Sequence, residues 1–371
     1  NSSVNTSGII TATAFVPTTG QLSHRNLIIN GDFQVAQRGS SSTSNGYQTV
    51  DRWAHYTGSS GVTATFSQQS TSSSDTPYQN GFSNFFRTAL SGAGTANAGA
   101  YFELMQTIEA QNIAKSGWNF KSPSSYITLS FWVRPSTNQT FYGYLRSYDS
   151  AAYVYAFSFT ASGNNTWTKI TKTIAGNSNL QFDNNNGHGL LLMLTPFFGT
   201  DYTNNRTLNT WNAMDSTNYF PDMASTWLTA GASTFDVTGV QLEVGPVATP
   251  FEHRSFGEEL LRCQRYCYAD RGSEDYHAVA QGHFNGTGTG ITMLYTPVNM
   301  RAAPTLSYPV GTWIVSGDSG TINPSNIYPT DNIGGVNAFQ IRTAHSGGQS
   351  GEGFLLRTSS AGHTWILDAE L

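Results

Sequence analysis

The amino-acid sequence predicts an all-β protein with two β regions and one short helix between them. Two observations lead to this prediction. Short segments with alternating apolar and polar residues recur along the chain, and turns rich in Gly, Asn and Ser separate them, which is typical of antiparallel sheets. One stretch near residue 260 instead has helical spacing and a helix-capping pattern.

Strands of the first region are predicted at YITLSFWVRP (126–135), YVYAFSFT (153–160), VTATF (62–66) and HGLLLML (188–194). Every second residue from Ile127 to Val133 is apolar, so this face is expected to be buried. Tyrosine and phenylalanine alternate in the same way from Tyr153 to Phe159. Residues 26–39 are predicted to form a strand that an Asn-Gly-Asp triplet interrupts.

The helix is predicted within SFGEELLRCQRYCY, residues 255–268. Ser255 precedes Glu258 by three residues, which forms a capping box. Acidic side chains lie in the first turn and arginines near the end, the charge order that a helix dipole favours. One apolar stripe is expected to be buried, formed by Phe256, Leu260, Cys263 and Cys267. Side chains four apart on a helix fit disulfide geometry poorly, so both cysteines are expected to be buried free thiols.

Five further strands are predicted after the helix: YHAVAQGHF (276–284), GITMLYTPV (290–298), GTWIVSG (311–317), AFQIRT (338–343) and HTWILDAEL (363–371). The predicted organisation is therefore an extended segment at residues 1–25, a large β-sandwich at 26–253, a connecting helix at 254–269 and a smaller β domain at 270–371.

The composition excludes two classes of partner. Charged residues make up 11% of the chain, against about 25% in typical soluble domains. The net charge is −5 and neither Lys nor Arg forms a cluster, so we expect no nucleic acid as a partner. No apolar run approaches the roughly 20 residues that span a bilayer, so we expect no membrane insertion.

Several motifs resemble those of tail-fibre and related virion appendage proteins of bacteriophages, particularly phages of marine and cyanobacterial hosts. The motifs are SGIITATAF (7–15), RNLIINGDFQVAQRG (25–39), VDRW (50–53), LSFWVR (129–134), TGVQLEVGPVATPFEHRSFGEELLRCQRY (238–266) and MRAAPTLS (300–307). The long run at 238–266 is the most specific of them.

The resemblance implies that the large first domain is a jelly-roll sandwich of the carbohydrate-binding-module type. With the patterns described above, the predicted fold is this jelly roll, then the helix, then a second, smaller β-sandwich. It also implies a virion fibre on the extracellular phage particle, non-enzymatic and homotrimeric, which contacts other virion proteins and attaches the particle to host-surface polysaccharide. Residues 1–25 would then be the end of an extended shaft. Two alternatives stay open: a tailspike that degrades polysaccharide, and a carbohydrate-binding module of a secreted polysaccharidase.

Residues 200–227 form the segment that most suggests a binding site, because a polar connection of this length is usually functional or disordered. Its predicted carbohydrate-binding residues are Tyr202, Trp211, Tyr219 and Trp227, whose rings could contact the C–H faces of sugars. Hydrogen-bond partners for sugar hydroxyls would come from Asn204, Asn205, Arg206 and Asp215. In the alternative interpretation, the same aromatic rings pack inward and hold the segment as a cover over the sandwich.

The sequence predicts no catalytic residues and no cofactor. Glycoside hydrolysis would need two carboxyl groups about 5–10 Å apart, and the acids of the long segment, Asp201, Asp215 and Asp222, show no diagnostic pattern. A structural calcium ion stays open, because modules of the type that the sequence resembles often hold one. Asp32 and Asp236 are the nearest acids to the family positions, although Gln34 stands where the family commonly has an acid.

Overall fold

The computed structural model describes residues 24–271, 275–308, 313–318, 320–334, 336–359 and 364–371. Within these residues the fold is all-β, as predicted, with two large sheets in the first region and two further sheets after the longest helix. The predicted shaft motif SGIITATAF lies outside the described residues. No described helix is long and apolar enough to cross a membrane.

The first region contains strands β1 Ser41–Ser42, β2 Ala54–Gly58, β3 Ala64–Ser70, β4 Asn84–Leu90, β5 Tyr101–Glu109, β6 Tyr126–Pro135, β7 Thr140–Ser147, β8 Tyr153–Thr160, β9 Thr168–Ala175, β10 His188–Phe198, β11 Trp211–Ala213 and β12 Thr234–Val244. The helices are α1 Thr76–Gln79, α2 Ala110–Ala114, α3 Thr226–Thr229 and α4 Phe256–Gln264. The second region contains β13 Cys267–Arg271, β14 Ala278–Phe284, β15 Thr289–Tyr295, β16 Thr305–Ser307, β17 Trp313–Gly317, β18 Gly320–Ile322, β19 Asn326–Gly334, β20 Ala338–Ala344, β21 Gly353–Thr358 and β22 Thr364–Asp368.

Two six-stranded antiparallel sheets form the sandwich. Sheet A has the order β1-β3-β4-β12-β6-β9, and sheet B has the order β11-β8-β7-β10-β5-β2. The alternating apolar residues of each sheet meet between them in one core. Ile127, Leu129, Phe131 and Val133 of β6 are all fully buried there, which confirms the alternation read from the sequence.

Residues 26–39 do not form the predicted strand. The segment runs beside β12, where the Leu27 amide donates to the Leu242 carbonyl and the Val240 amide donates to the Gly31 carbonyl, both at 2.8 Å. The backbone then turns into the left-handed region at Asn30 and again at Phe33, each with φ of 57°. A regular ladder cannot pass through such residues, so pairing stops after isolated hydrogen bonds.

The predicted helix is present as α4, and its capping box is formed. The Ser255 hydroxyl accepts from the Glu258 amide at 3.3 Å, and the Glu258 carboxylate accepts from the Ser255 amide at 3.2 Å. The predicted apolar stripe is wrong in part. Phe256 is 56% exposed, whereas Glu259 is buried because its carboxylate accepts from Arg254 and from the Asn30 amide.

Both cysteines are buried and free, as predicted, but they do not lie on one helix. Cys263 belongs to α4, and Cys267 begins β13. Burial raises the pKa of both thiols well above the usual value, with a further contribution from nearby carboxylates. Neither thiol therefore has the thiolate character that reactive cysteines need.

The second region has a seven-stranded sheet, β18-β17-β21-β14-β15-β20-β19, and a three-stranded sheet, β13-β22-β16. All pairs are antiparallel, and the two sheets share one core. Each of the five strands predicted after the helix overlaps one observed strand: β14, β15, β17, β20 and β22.

Buried ion pairs join the second region to the sandwich. Glu370, which follows β22, pairs with Arg38 at 3.2 Å and with Arg52, and its side chain is only 4% exposed. Arg52 also lies over the ring of Tyr266, with 3.4 Å between its guanidinium carbon and the ring centroid. Such pairs tolerate the loss of one partner poorly, because the other charge is left buried and uncompensated.

We predict that Glu370→Gln lowers the free energy of unfolding by about 3 kcal/mol, since Arg52 then loses its carboxylate partner in a buried position. Denaturant unfolding followed by tryptophan fluorescence measures this. The control is Asp201→Asn, at an exposed acid, which is expected to change stability by less than about 0.5 kcal/mol. Equal effects of the two substitutions would contradict the role of Glu370.

Candidate functional site

The outer face of sheet B carries a second apolar cluster, separate from the sandwich core. Its buried members are Tyr142, Tyr144, Val154, Ala156, Leu191, Met193, Phe198 and Phe220. Exposed sheet faces in antiparallel proteins are usually polar, so an aromatic outer face needs a cover or a ligand. Residues 200–227 provide part of that cover.

The segment 200–227 is held to the sheet by its own backbone and by Phe220. The Tyr219 amide donates to the Tyr202 carbonyl at 2.8 Å, and the Asn204 amide donates to the Phe220 carbonyl at 2.9 Å. Phe220 is fully buried and packs with ring centroids 5.6 Å from Phe198 and 5.9 Å from Tyr144. The segment is therefore a defined cover over the outer face of sheet B.

Two of the four predicted carbohydrate-binding aromatics are buried, and the expectation of free ring faces is wrong for both. Trp227 has no exposed surface, and its indole N–H donates to the Thr234 carbonyl at 2.9 Å. Trp211 is 8% exposed, lies against Tyr155 and donates to the Ala175 carbonyl at 2.8 Å. Large rings with one N–H fit such sites, since burial is favourable once the N–H has an acceptor.

The other two predicted residues, Tyr202 and Tyr219, line a cleft of about 420 Å³ on the outer face of sheet B. The remaining lining residues were not predicted from the sequence: Tyr56, Tyr101, Glu103, Met105, Phe198 and Ser216. We call this site the tyrosine cleft. Its size falls in the range of small-molecule pockets, about 300–1,000 Å³.

The strand β5 places three lining residues in the cleft through its alternation. Tyr101, Glu103 and Met105 face outward, whereas Phe102 and Leu104 face the core. Tyr56 lies opposite Glu103 on the neighbouring strand β2. Four tyrosine rings from β2, β5 and the covering segment thus converge on one cleft.

Contacts between rings fix the orientation of the tyrosines. Tyr202 packs edge-on against Tyr101 at 5.9 Å between ring centroids, and lies 5.4 Å from Phe198. Tyr219 stacks on Tyr144 at 5.2 Å with an interplanar angle of 11°. Aromatic pairs of this kind are worth about 0.5–1.5 kcal/mol beyond their burial, so the cleft is preformed in this structure.

Glu103 is the one carboxylate among the described residues that line the cleft. No described residue forms a hydrogen bond or ion pair with it, and burial raises its pKa to about 7. The charge of Glu103 reaches the phenols around it. Burial raises the pKa of Tyr101 and of Tyr144, and the nearby Glu103 raises both further.

The polar residues predicted as partners for sugar hydroxyls do not line the cleft. Arg206 is buried and donates to the Ala213 carbonyl at 2.9 Å, so it stabilises the covering segment. The Asp215 carboxylate accepts from the hydroxyl and amide of Thr217 at 2.8 and 3.0 Å. Asn204 and Asn205 are exposed. These four side chains serve the segment's own turns or face solvent.

The two acids considered for calcium do not form a common ligand set. Asp236 binds Arg87 through both carboxylate oxygens and Arg134 through one of them, each at 2.8 Å, so no oxygen is left for a cation. Asp32 accepts from the Gln34 side chain at 3.0 Å. Among the described residues, no group of three or more His, Cys, Asp or Glu side chains is arranged to hold a metal ion. Asp236 therefore does not fit the predicted role.

Comparison with known proteins gives distant similarities of fold. A domain of tailspike protein 4 of bacteriophage CBA120, described as enzymatically active, matches at 11% identity with a TM-score of 0.31, over 59% of this chain and 21% of that one. A CBM4 protein matches at 13% identity with a TM-score of 0.30, over 58% and 97% of the two chains. A family 11 carbohydrate-binding module from Clostridium thermocellum, in complex with a mixed-linked tetrasaccharide, matches at 10% identity with a TM-score of 0.27, over 57% and 98%.

The chain thus spans about a fifth of the length of the tailspike domain. No family model and no curated protein matches the sequence. Structural similarities at TM-scores near 0.3 do not establish a shared function.

We predict that Glu103→Gln stabilises the protein at pH 8 and not at pH 4.5. The folded-state pKa of Glu103 is raised from 4.5 to about 7, so its ionisation costs stability progressively as pH rises through that window and costs most above it. The substitution removes this cost, about 1–3 kcal/mol after allowance for partial exposure.

Denaturant unfolding at the two pH values measures the effect, with Asp201→Asn as the control at an exposed acid. A Glu103→Gln protein no more stable than the wild type at pH 8 would contradict the half-buried, unpaired state of this carboxylate.

Proposed function

We propose that the chain is a carbohydrate-binding protein and that the tyrosine cleft is its binding site. One observation supports this most strongly: four tyrosine rings and an unpaired carboxylate line a preformed cleft on an aromatic sheet face. Sugars present apolar C–H faces and polar hydroxyl edges, so a site that combines ring faces with a few polar groups matches both.

Two tyrosines of the cleft are held in place by neighbouring aromatic rings. Tyr219 is stacked on Tyr144, and Tyr202 is wedged between Tyr101 and Phe198. Little side-chain entropy is therefore lost when a ligand contacts them, since their rotamers are already restricted. The hydroxyl of Ser216 and the carboxyl group of Glu103 would supply the polar contacts.

We further propose that the protein is a non-enzymatic virion fibre that attaches a phage particle to host-surface polysaccharide. The motif resemblance and the low charged fraction of 11% support this, because uncharged polar surfaces do not depend on salt. A fibre of this kind is expected to be a homotrimer in contact with other virion proteins. Light scattering at micromolar concentration tests this, and a stable monomer would contradict it.

A polysaccharide-degrading tailspike is the second candidate, and Glu103 is the observation that favours it. A carboxyl group with a pKa of about 7 can act as a general acid near neutral pH. Glycoside hydrolysis needs a second carboxylate about 5–10 Å away, and no other acid is among the described lining residues. We therefore favour binding without cleavage. A carbohydrate-binding module attached to a secreted polysaccharidase would use the same cleft.

We predict that Tyr202→Ala and Tyr219→Ala each weaken saccharide binding by about tenfold, because each removes a ring face worth roughly 1–1.5 kcal/mol. Glycan-array binding and host adsorption measure this. The matched control is Tyr78→Ala, which removes a 48% exposed tyrosine from the same region outside the cleft and is expected to leave binding unchanged. If the two cleft variants bind like the control, the site lies elsewhere.

We predict no cleavage of the polysaccharide that the protein binds. Polysaccharide incubated with the pure protein should keep its size distribution in size-exclusion chromatography. Oligosaccharides that accumulate with the wild type but not with Glu103→Gln would instead establish the hydrolase and assign Glu103 as its acid.

A further inference from the structure

We infer that the tyrosine cleft selects a saccharide that carries a positive charge, such as the ammonium group of an amino sugar. The inference rests on the proposed function and names the class of its ligand. It follows from what surrounds Glu103.

The first step concerns the missing partner of Glu103. The buried carboxylates of the described residues have partners of two kinds. Asp236, Glu109 and Glu370 pair with arginines. Asp51 and Glu243 accept hydrogen bonds from neutral donors, Gln37 and Thr249. Glu103 is half-buried in the cleft, and no described residue gives its carboxylate either a cation or a hydrogen-bond donor. A buried ionised carboxylate is costly until a cation or several donors reach it.

The second step concerns the rings. A cation is attracted to the face of an aromatic ring within about 6 Å of its centroid, and cages of such rings around a positive group are a common mode of ammonium recognition. The cleft provides Tyr56, Tyr101, Tyr202, Tyr219 and Phe198 around one carboxylate. A neutral sugar would use the rings but would leave the charge of Glu103 uncompensated.

The same sheet face already holds one cation against a tyrosine. The guanidinium carbon of Arg146 lies 4.5 Å from the ring centroid of Tyr148. In sheet B, Arg146 of β7 lies opposite Leu191 of β10, which lies opposite Thr107 of β5. Thr107 is four residues from Glu103 along β5, a separation of roughly 13 Å at 3.3–3.4 Å per residue. Arg146 therefore does not serve as the partner of Glu103.

The titratable groups near Glu103 are tyrosines from each packed element: Tyr56 of β2, Tyr101 of β5, Tyr144 of β7, Tyr148 after β7, and Tyr202 and Tyr219 of the covering segment. Arg146 of β7 and His188 of β10 lie further along sheet B. Burial lowers the pKa of His188, with neighbouring arginines lowering it further. Burial raises the pKa of Tyr148 and Tyr219. Glu103 is thus the group that titrates near pH 7.

The ionisation of Glu103 determines how ligand affinity should change with pH. A cationic ligand binds the ionised form of Glu103, so its affinity should rise as pH increases through about 7 and should level off above it. A neutral saccharide that only accepts a hydrogen bond from the protonated carboxyl group should lose affinity over the same range.

The experiment uses two tetrasaccharides with the same backbone and different charge. Isothermal titration calorimetry compares a β-1,4-glucosamine tetramer with its fully N-acetylated counterpart at pH 6.5, for the wild type and Glu103→Gln. The wild type is expected to bind the glucosamine tetramer at least tenfold more tightly, and Glu103→Gln is expected to bring the two affinities within about threefold of each other. An N,N,N-trimethylated tetramer, whose charge does not titrate, then tests the pH dependence between pH 5.5 and 8.5.

Equal binding of the two tetramers by the wild type, or a preference that persists in Glu103→Gln, would overturn the inference. Binding of neither tetramer would overturn it as well. If the protein then binds a neutral glycan on the array, and Tyr219→Ala weakens that binding, the cleft keeps its proposed function and only the ligand class is wrong. If no glycan depends on Tyr219, the proposed function itself fails.

Discussion

The two faces of β5 are the constraint on which the candidate site depends. Phe102 and Leu104 are held in the sandwich core opposite Phe197 and Leu194 of β10, so the residues between them must point outward. A shift of one residue in this pairing would turn Glu103 into the core and Phe102 into the cleft. The burial of apolar side chains on the inner face of β5 therefore fixes the position of Glu103 on the outer face. It also offsets the free-energy cost of partly shielding the Glu103 carboxylate from water.

The covering segment shows how one stretch of sequence serves packing and binding together. Trp227 and Phe220 are fully buried, and each anchors the segment in a different apolar cluster. Trp227 packs in the sandwich core, and Phe220 packs on the outer face of sheet B. Tyr202 and Tyr219, which precede both anchors in the chain, are left half-buried at the edge of the cleft. The two interpretations of the aromatics from the sequence were not exclusive, because the indoles pack inward while the phenols line a cavity.

Much of the fold could be predicted because alternation is a local signal. β6 spans the residues expected from its pattern, and the capping box of α4 is formed as its sequence indicates. The strand at residues 26–39 failed because left-handed residues at Asn30 and Phe33 are not visible in apolar spacing. The stripe of α4 failed in part because a polar residue, Glu259, is buried through a hydrogen bond from the Asn30 amide, which comes from a segment far away in the chain.

The site was harder to predict, since its residues come from β2, β5, β10 and the covering segment, which only the sheet order brings together. One signal was present in YFELMQTIE, where an acid alternates with apolar residues between Phe102 and Leu104. An outward acid on a strand is normally a solvated side chain, so the alternation alone carries no weight. Glu103 can be recognised as part of a binding site only once the tyrosines of the covering segment are placed beside it, because they partly shield its carboxylate from water.

The attachment of the second region has a consequence for how this chain can vary. The chain leaves the sandwich through β13, and its last strand, β22, pairs with β13 on one side and with β16 on the other, so this three-stranded sheet forms a stem next to the sandwich. The clamp of Arg38, Arg52 and Glu370 lies at the base of this stem. The stem shares one core with the seven-stranded sheet, so changes among the apolar residues of that core reach the stem, whereas exposed residues of the seven-stranded sheet can vary without this effect. In mechanical terms, a load on the seven-stranded sheet would pass through this shared core to the buried ion pairs of the clamp.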